Sequence, residues 1–379
     1  MQIRYAHAKR VFEVMLAQYR TQAHPFRAME KDLPQYLVLP EIRACPKRHA
    51  RHLFFACHYM RGTVVSSHAF VQLNEMWRQH PWLFTEDILL MTNRQMVTDT
   101  LLSFIPWQSE QVGRLWLENA HTLDREWGND PRNIFTVSAK KALYRRIIGK
   151  KMFRTSRYAG FGGFQKKMAS MLAYFLAAEK LIEPTTLSAP IDFHHFRVYL
   201  ATQMIEIDVE AVRYEKVREL GIRLAEYLQS EFNLSQVEYG DIVWLWSLRL
   251  CRHAPVNRTR EQEEGSRVRE IVPVTWTKAQ VAQFARSCGT CAIAPYCKYG
   301  VPSGTYYTTG VFRLLLRELP PQSLLFVRDD LPVQVKSKKT SSRDKAGVSQ
   351  SVPEKPLPQP SLFVDDLPVQ VKTEKSSSK

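Results

Sequence analysis

Four cysteines in the last third of the chain have the residue type and spacing of metal ligands. Cys288, Cys291 and Cys297 form a Cys-x2-Cys-x5-Cys triplet, and Cys251 lies upstream of it. Thiolates hold iron–sulfur clusters or zinc because soft sulfur suits both, and both usually take four protein ligands. The pattern therefore predicts a metal centre, and the cysteines by themselves leave a 4Fe-4S cluster and zinc equally open.

The bulk composition narrows the class of protein. The 379 residues are 45% hydrophobic, and no segment resembles a signal peptide or an apolar run long enough to cross a bilayer. Six cysteines are too sparse for a disulfide scaffold. We expect a soluble cytoplasmic, nucleoid-associated protein that does not enter a membrane.

The net charge indicates the partner. A formal charge of +16 and a pI near 9.6 attract polyanions, and phosphate binding releases counterions, so affinity should fall with salt. Nucleic acid is the natural partner, and the alternative is a basic protein with a Lys-rich tail and no specific target. The basic stretch at residues 140–157 predicts a helix with one solvated, cationic face.

Helical periodicity dominates the elements that must position these residues. Apolar residues recur at helical spacing in residues 52–62, 97–105, 168–182 and 215–232, while alternating strand patterns are scarce. After Pro320 the chain turns to Ser, Lys, Pro, Asp and Gln, which cannot repay ordering entropy by burial. We therefore expect an all-α core followed by a disordered tail.

Three segments carry a resemblance to a known family. FGGFQKKMASMLAYF (161–175), then APIDFHHFRV (189–198), then the four cysteines follow the order found in the endonuclease III and adenine-glycosylase branch of the helix-hairpin-helix DNA glycosylases. The resemblance implies the two-lobed helical fold of that superfamily with a C-terminal iron–sulfur loop, and it favours a 4Fe-4S cluster over zinc. In this chain Gln165 replaces the second hairpin glycine, and 36 residues separate Cys251 from Cys288 where the family usually has six.

Two residues acquire catalytic roles through the resemblance. It places the lysine nucleophile of the bifunctional enzymes at Lys167 and the catalytic aspartate at Asp192. A carboxylate beside a sugar stabilises the positive charge of glycosidic cleavage, and an amine that attacks the sugar carbon forms a Schiff base. Without the resemblance Lys167 is a solvated lysine at a helix start and Asp192 is a helix N-cap, and the second role is compatible with catalysis.

The same resemblance assigns DNA contacts. Backbone N–H groups of the glycine-rich hairpin and the dipole of the following helix would hold a phosphate, and the cluster loop would meet the DNA backbone. The residues concerned are Gly162, Gly163, Gln165 and Lys166 in the hairpin, and Lys298 with Arg286 in the loop. Tyr59, Arg61 and Gln72 come from the region that matches the family's cleft-lining helices, whereas His194 and His195 are expected to be structural.

The tail contains an internal repeat. QSLLFVRDDLPVQVKSK, starting at Gln322, recurs as QPSLFVDDLPVQVKTEK, starting at Gln359. Both copies resemble the Gln-Leu-Ser/Asp-Leu-Phe peptide that bacterial proteins insert into the replication sliding clamp, and two copies would raise the effective concentration. The predicted anchor residues are Gln322, Leu325 and Phe326 in the first copy and Gln359, Leu362 and Phe363 in the second. A chance pentapeptide is the alternative.

The sequence thus predicts a monomeric DNA repair glycosylase that flips a damaged or mispaired base out of double-stranded DNA and has abasic-site lyase activity. The expected organisation is an N-terminal extension (1–50), a helical glycosylase core (51–250), an iron–sulfur region (251–300) with an insertion (252–287), a cap (301–320) and the tail (321–379). A non-catalytic nucleic-acid-binding module and a glycosidase for a modified nucleoside or RNA remain alternatives.

Overall fold

Twelve α-helices make up most of the described chain, which confirms the prediction of a mostly helical protein. The computed structural model describes residues 1–60, 66–105, 111–207, 211–255, 258–261, 269–303, 311–316 and 319–321. Arg61 and the two clamp-like motifs, which start at Gln322 and Gln359, lie outside these residues. The described residues all belong to one compact unit, Met1–Arg328.

The helices fall largely where the apolar periodicity predicts them. In chain order they are α1 (Tyr5–Arg20), α2 (Pro40–Arg43), α3 (Pro46–Tyr59), α4 (Ser66–Gln79), α5 (Arg94–Phe104), α6 (Gln111–Trp127), α7 (Lys140–Ile147), α8 (Lys166–Ala178), α9 (Phe193–Ala201), α10 (Tyr214–Glu231), α11 (Gln236–Arg249) and α12 (Lys278–Arg286). The predicted basic helix over 140–157 is too long. The α-helix ends at Ile147 because the chain turns at Gly149, whose φ of +62° suits glycine.

Short antiparallel strands were not predicted. They are β1 (Gln2–Ile3), β2 (Ile205–Glu206), β3 (Ala211–Arg213), β4 (Arg258–Glu261), β5 (Arg269–Val272), β6 (Tyr299–Ser303) and β7 (Val311–Leu316). Strand β1 pairs with β2, β4 pairs with β5, and β7 lies between β3 and β6. The predicted insertion at 252–287 therefore contains the β4–β5 pair and all of α12.

The buried side chains form two hydrophobic cores, which we call the first core and the second core. The first core is built from residues 38–187, and its centre is a group of aromatic rings. Phe54 packs on Phe161 and Phe164, while Phe55 stacks on Trp116 at 4.5 Å between ring centroids. Apolar surface contributes about 25 cal/mol per Å² buried, so these large rings dominate the packing energy.

The second core joins the start of the chain to its last third. It is built from residues 8–33 and 189–293. Phe12 of α1 stacks on Tyr239 of α11 with ring centroids 5.2 Å apart, and Phe26 packs on Trp246. Residues within the predicted N-terminal extension, 1–50, therefore contribute to both cores. None of the helices in the described ranges is long and apolar enough to cross a membrane.

Candidate active site

Asp192 is the N-cap of α9, as its sequence context predicts. Its Oδ1 accepts hydrogen bonds from the backbone N–H groups of His194 at 2.9 Å and His195 at 3.3 Å. The ring Nδ1 of His195 lies 2.9 Å from the same oxygen, and the His195 side chain is only 2% exposed. The carboxylate is therefore fixed at the start of the helix by three nitrogen atoms, while 26% of its own side chain remains exposed.

The surroundings keep Asp192 ionised. Burial alone would raise the pKa of this carboxyl, but the hydrogen bond from His195 and the charges of His194, His195 and Lys167 together hold that pKa below its usual value. The pKa of His194 itself is lowered to about 4, mainly by burial, so its imidazole is neutral at pH 7. His194 and His195 thus lie directly against the Asp192 carboxylate.

Lys167 is held by the hairpin that precedes α8. Phe161 and Phe164 bury their rings in the first core, and Gly163 between them has a φ of +78°, which the turn requires and which suits glycine. Gln165 then begins the helix as an N-cap without a side-chain hydrogen bond to the first turn. Two buried aromatic anchors therefore fix the point at which Lys167 leaves the backbone.

Gly162 is clamped by Asn119 of α6. The Gly162 N–H donates to Asn119 Oδ1 at 2.5 Å, and Asn119 Nδ2 donates to the Gly162 carbonyl at 2.9 Å. A Cβ at Gly162 would lie 2.5 Å from Leu115 Cδ2. The Gly162 amide consequently faces Asn119 and does not point at a phosphate site. The amides of the first turn of α8 remain, and Lys151 lies beside the hairpin, with its Nζ 3.5 Å from the position of that Cβ.

Lys167 and Asp192 line the same cleft. Its volume is about 1250 Å³, which exceeds the range of roughly 300–1,000 Å³ typical of small-ligand pockets. Gly163 and Gln165 line it as well, so the hairpin forms part of the wall. In the described ranges no salt bridge joins Lys167 to Asp192, although the lysine charge reaches the carboxylate. The two groups therefore face one cleft and are close enough to interact electrostatically.

The cleft is cationic. Its basic lining residues are Lys31, Lys167, Arg197, Arg218, Arg249 and Arg252, and its carboxylates are Asp32 and Asp192, all within the part of the chain that is described. Asp32 is neutralised by Arg249, whose Nε lies 2.5 Å from Asp32 Oδ2. The side chain of Arg197 lies over the ring of Phe193, 4.8 Å from its centroid. A polyanion is the kind of ligand that this lining attracts.

The remaining predicted contact residues lie apart from the cleft. Lys166 is exposed and lies over the ring of Tyr144 at 6.0 Å, and it does not line the cleft. Lys298 and Arg286 are exposed on the cysteine region. Tyr59 is buried, and its hydroxyl donates a hydrogen bond to Gln72 Oε1. Neither residue is among the described residues that line the cleft.

The four cysteines converge on one cavity. Cys251, Cys288, Cys291 and Cys297 line it together with apolar residues that include Leu250 and Ile293. Cys251 lies two residues after the end of α11, and Cys288 lies two residues after the end of α12. Although 36 residues separate Cys251 from Cys288 in the sequence, both side chains line the same cavity, which the spacing alone could not indicate.

These residues fit a thiolate-bound metal group. Burial raises the pKa of the Cys251 thiol, and the other three thiols raise it further, so several thiolates here require a cation to offset their charge. Among the described residues, no three His, Cys, Asp or Glu side chains are arranged to hold a single metal ion. Four thiols that line one cavity are the donor set of either a 4Fe-4S cluster or a zinc ion.

The cysteine region is joined to α9, the helix that Asp192 caps. Ala201 at the end of α9 and the adjacent Thr202 line the cysteine cavity. The Lys298 N–H donates to the Ala201 carbonyl at 2.7 Å. One end of α9 therefore carries Asp192 and the other end contacts the cysteine region.

The site contains features that the sequence does not signal. Asn119 and Arg218 come from distant segments and have no motif of their own. No protein-family model and no curated protein matches this sequence.

Proposed function

We propose that the protein is a DNA repair glycosylase with abasic-site lyase activity. The observation that supports this most strongly is that Lys167 and Asp192 line one cationic cleft, although α8 packs in the first core and α9 in the second. A nucleophilic amine and an ionised carboxylate are the two groups that glycosidic cleavage with Schiff-base formation requires.

Each group has a defined task in this proposal. Asp192, held as a carboxylate, stabilises the positive charge that develops on the sugar as the base departs. Lys167 attacks the sugar carbon and forms the Schiff base that leads to strand cleavage. Lys167 makes no ion pair or hydrogen bond with any other described residue, so no partner has to be displaced before it reacts.

The basic lining and the volume of the cleft support DNA as the substrate. Its basic lining offers several phosphate contacts, and its volume accommodates a nucleotide that has been flipped out of the duplex. The first turn of α8, with Lys151 and Lys166 nearby, supplies a helix N-terminus and two cations for a backbone phosphate. Lys298 and Arg286 would extend the contact from the cysteine region.

A 4Fe-4S cluster is the cofactor we propose for the cysteine cavity. Four cysteines line it, and the resemblance to the endonuclease III branch favours a cluster over zinc. Its role would be structural, because it would fix the cysteine region against α9. Binding to the sliding clamp through the two tail motifs is a further proposal, which depends on the sequence repeat alone.

The test is trapping with sodium borohydride, which reduces a Schiff base to a stable adduct. The substrates are duplex oligonucleotides that carry an abasic site, uracil, an oxidised pyrimidine, or adenine opposite 8-oxoguanine. We expect an adduct with the wild-type protein and none with Lys167→Ala. Lys166→Ala is the matched comparison, because this neighbouring lysine is exposed and does not line the cleft. As a proposed phosphate contact it should weaken DNA binding but still allow the adduct to form at saturating protein.

The possible results separate the alternatives. An adduct that survives Lys167→Ala would refute the assignment of the nucleophile. Salt-dependent binding without an adduct or base release would favour the non-catalytic binding module. Activity confined to free nucleosides or RNA would favour the other glycosidase.

A further inference from the structure

A second carboxyl group lies behind the cleft wall. Asp241 of α11 is 5% exposed and is not among the described residues that line the cleft. Tyr174 of α8 does line the cleft, and its hydroxyl donates a hydrogen bond to Asp241 Oδ1. Gln35, which also lines the cleft, donates from Nε2 to the same hydroxyl at 3.5 Å. Tyr174 therefore connects the buried carboxyl with the cleft.

The protonation state of Asp241 decides what the Tyr174 hydroxyl can do. A phenol has one O–H to donate and an oxygen that accepts. When Asp241 is ionised, that O–H is committed to the carboxylate. When Asp241 is protonated, the acid can donate to the phenol oxygen alongside Gln35, and the Tyr174 O–H becomes available to a group in the cleft.

The surroundings favour the protonated acid. Burial raises the pKa of Asp241 to about 7; the hydrogen bond from Tyr174 opposes this shift and the charge of Glu238 adds to it. Tyr19 and Tyr36 also face Asp241, and its charge in turn raises their pKa values. No cation pairs with Asp241 among the described residues. The cleft thus has one carboxyl held ionised, Asp192, and one carboxyl behind its wall held near neutrality, a contrast typical of acid and base pairs.

We propose that Tyr174 donates a proton to the departing base and that Asp241 replaces that proton from behind, an inference that rests on the proposed glycosylase function. The bond between sugar carbon and base nitrogen breaks, and its electron pair stays on the base. The Tyr174 proton moves to the base, and the Asp241 proton moves to the Tyr174 oxygen. The sugar carbon takes the lone pair of the Lys167 amine, and the surplus proton of that amine leaves to water.

The relay defines a class of substrate. Proton donation accelerates the departure of a base whose ring nitrogens are basic, as in purines, more than that of a base that already leaves as a stable anion. Among the test oligonucleotides, adenine opposite 8-oxoguanine is the one that should depend on the relay most strongly.

Two assays on one set of variants test the relay. Release of adenine requires a leaving base to be protonated, whereas borohydride trapping on a preformed abasic site does not. Tyr174→Phe should lower adenine release about 100-fold or more and lower abasic-site trapping by a much smaller factor, because trapping needs no protonated leaving base. Tyr19→Phe is the matched control, since it removes a phenol that also faces Asp241 but does not line the cleft.

The pH dependence of adenine release shows whether Asp241 supplies a proton or only contributes to packing. Wild-type adenine release should fall as the pH rises through about 7, because Asp241 then loses its proton. Asp241→Asn should release adenine slowly and lack that limb, while trapping on abasic sites keeps its own profile. The relay would be refuted if either Tyr174→Phe or Asp241→Asn released adenine at the wild-type rate. It would also be refuted if the wild-type protein trapped abasic sites but released no base. Absence of trapping with the wild type would instead overturn the proposed function.

Discussion

The buried carboxyl of Asp241 should leave a signature in the stability of the fold that does not depend on any substrate. Its pKa is about 7 in the folded protein, against the ordinary value of 3.8 expected when the chain unfolds. Between pH 3.8 and about pH 7, Asp241 carries a proton in the folded protein that it has lost in the unfolded chain. Rising pH therefore destabilises the fold through this group until it is ionised in both states.

The size of the effect follows from the two pKa values. Each unit of pKa difference corresponds to about 1.4 kcal/mol, and only the part of the titration that falls between two chosen pH values is measured. From about pH 5.5 to about pH 8, Asp241 should lower the free energy of unfolding by roughly 2 kcal/mol. Asp241→Asn has no carboxyl at this position and should lack that contribution.

Urea denaturation followed by circular dichroism provides the assay. Wild type and Asp241→Asn are unfolded at both pH values with the same cofactor content, and the difference between their free energies of unfolding is compared. The difference should change by roughly 2 kcal/mol in favour of the variant at the higher pH. Parallel pH dependence of the two proteins would refute the shifted pKa, whatever the absolute stability of the variant.

Three further substitutions test the fold and the cysteine cavity. Ser235→Ala removes the capping box with Glu238 at the start of α11 and should cost about 1 kcal/mol in urea denaturation. Gly162→Ala places a Cβ 2.5 Å from a Leu115 methyl and should lower the free energy of unfolding by about 1–3 kcal/mol, and an unchanged midpoint would contradict the hairpin packing. Cys291→Ser should lose bound iron and visible absorbance, whereas the exposed Cys45→Ser should keep both.

Local signals explain which parts could be predicted from the sequence. The Pro-Ile-Asp-Phe-His segment contains both the N-cap Asp192 and the apolar period of α9, so the helix start and the carboxylate position are encoded together. Lys167 is likewise placed at the start of α8 by the glycine-rich turn before it. Both predictions concern neighbours in sequence, where capping and turn preferences decide the conformation.

Contacts between distant segments could not be predicted in this way. Asn119 and Gly162 are 43 residues apart, and Tyr174 and Asp241 are 67 residues apart, so only the packing of both cores brings them together. The basic run at 140–157 shows the opposite limit. The spacing of its apolar residues favours a long helix. The helix nevertheless ends early, because Gly149 adopts a positive φ and the chain turns there.

Helix α9 makes the cysteine cavity and the Asp192 carboxylate, which we propose to be catalytic, parts of one rigid body. Nine residues at 1.5 Å each give a rod of about 13 Å, with Asp192 at one end and the cavity at the other. A rod of this length transmits a displacement at one end to the other with little loss. Oxidation of the cysteines would therefore displace the Asp192 carboxylate through α9. We expect this displacement to impair the proposed reaction before either hydrophobic core unfolds.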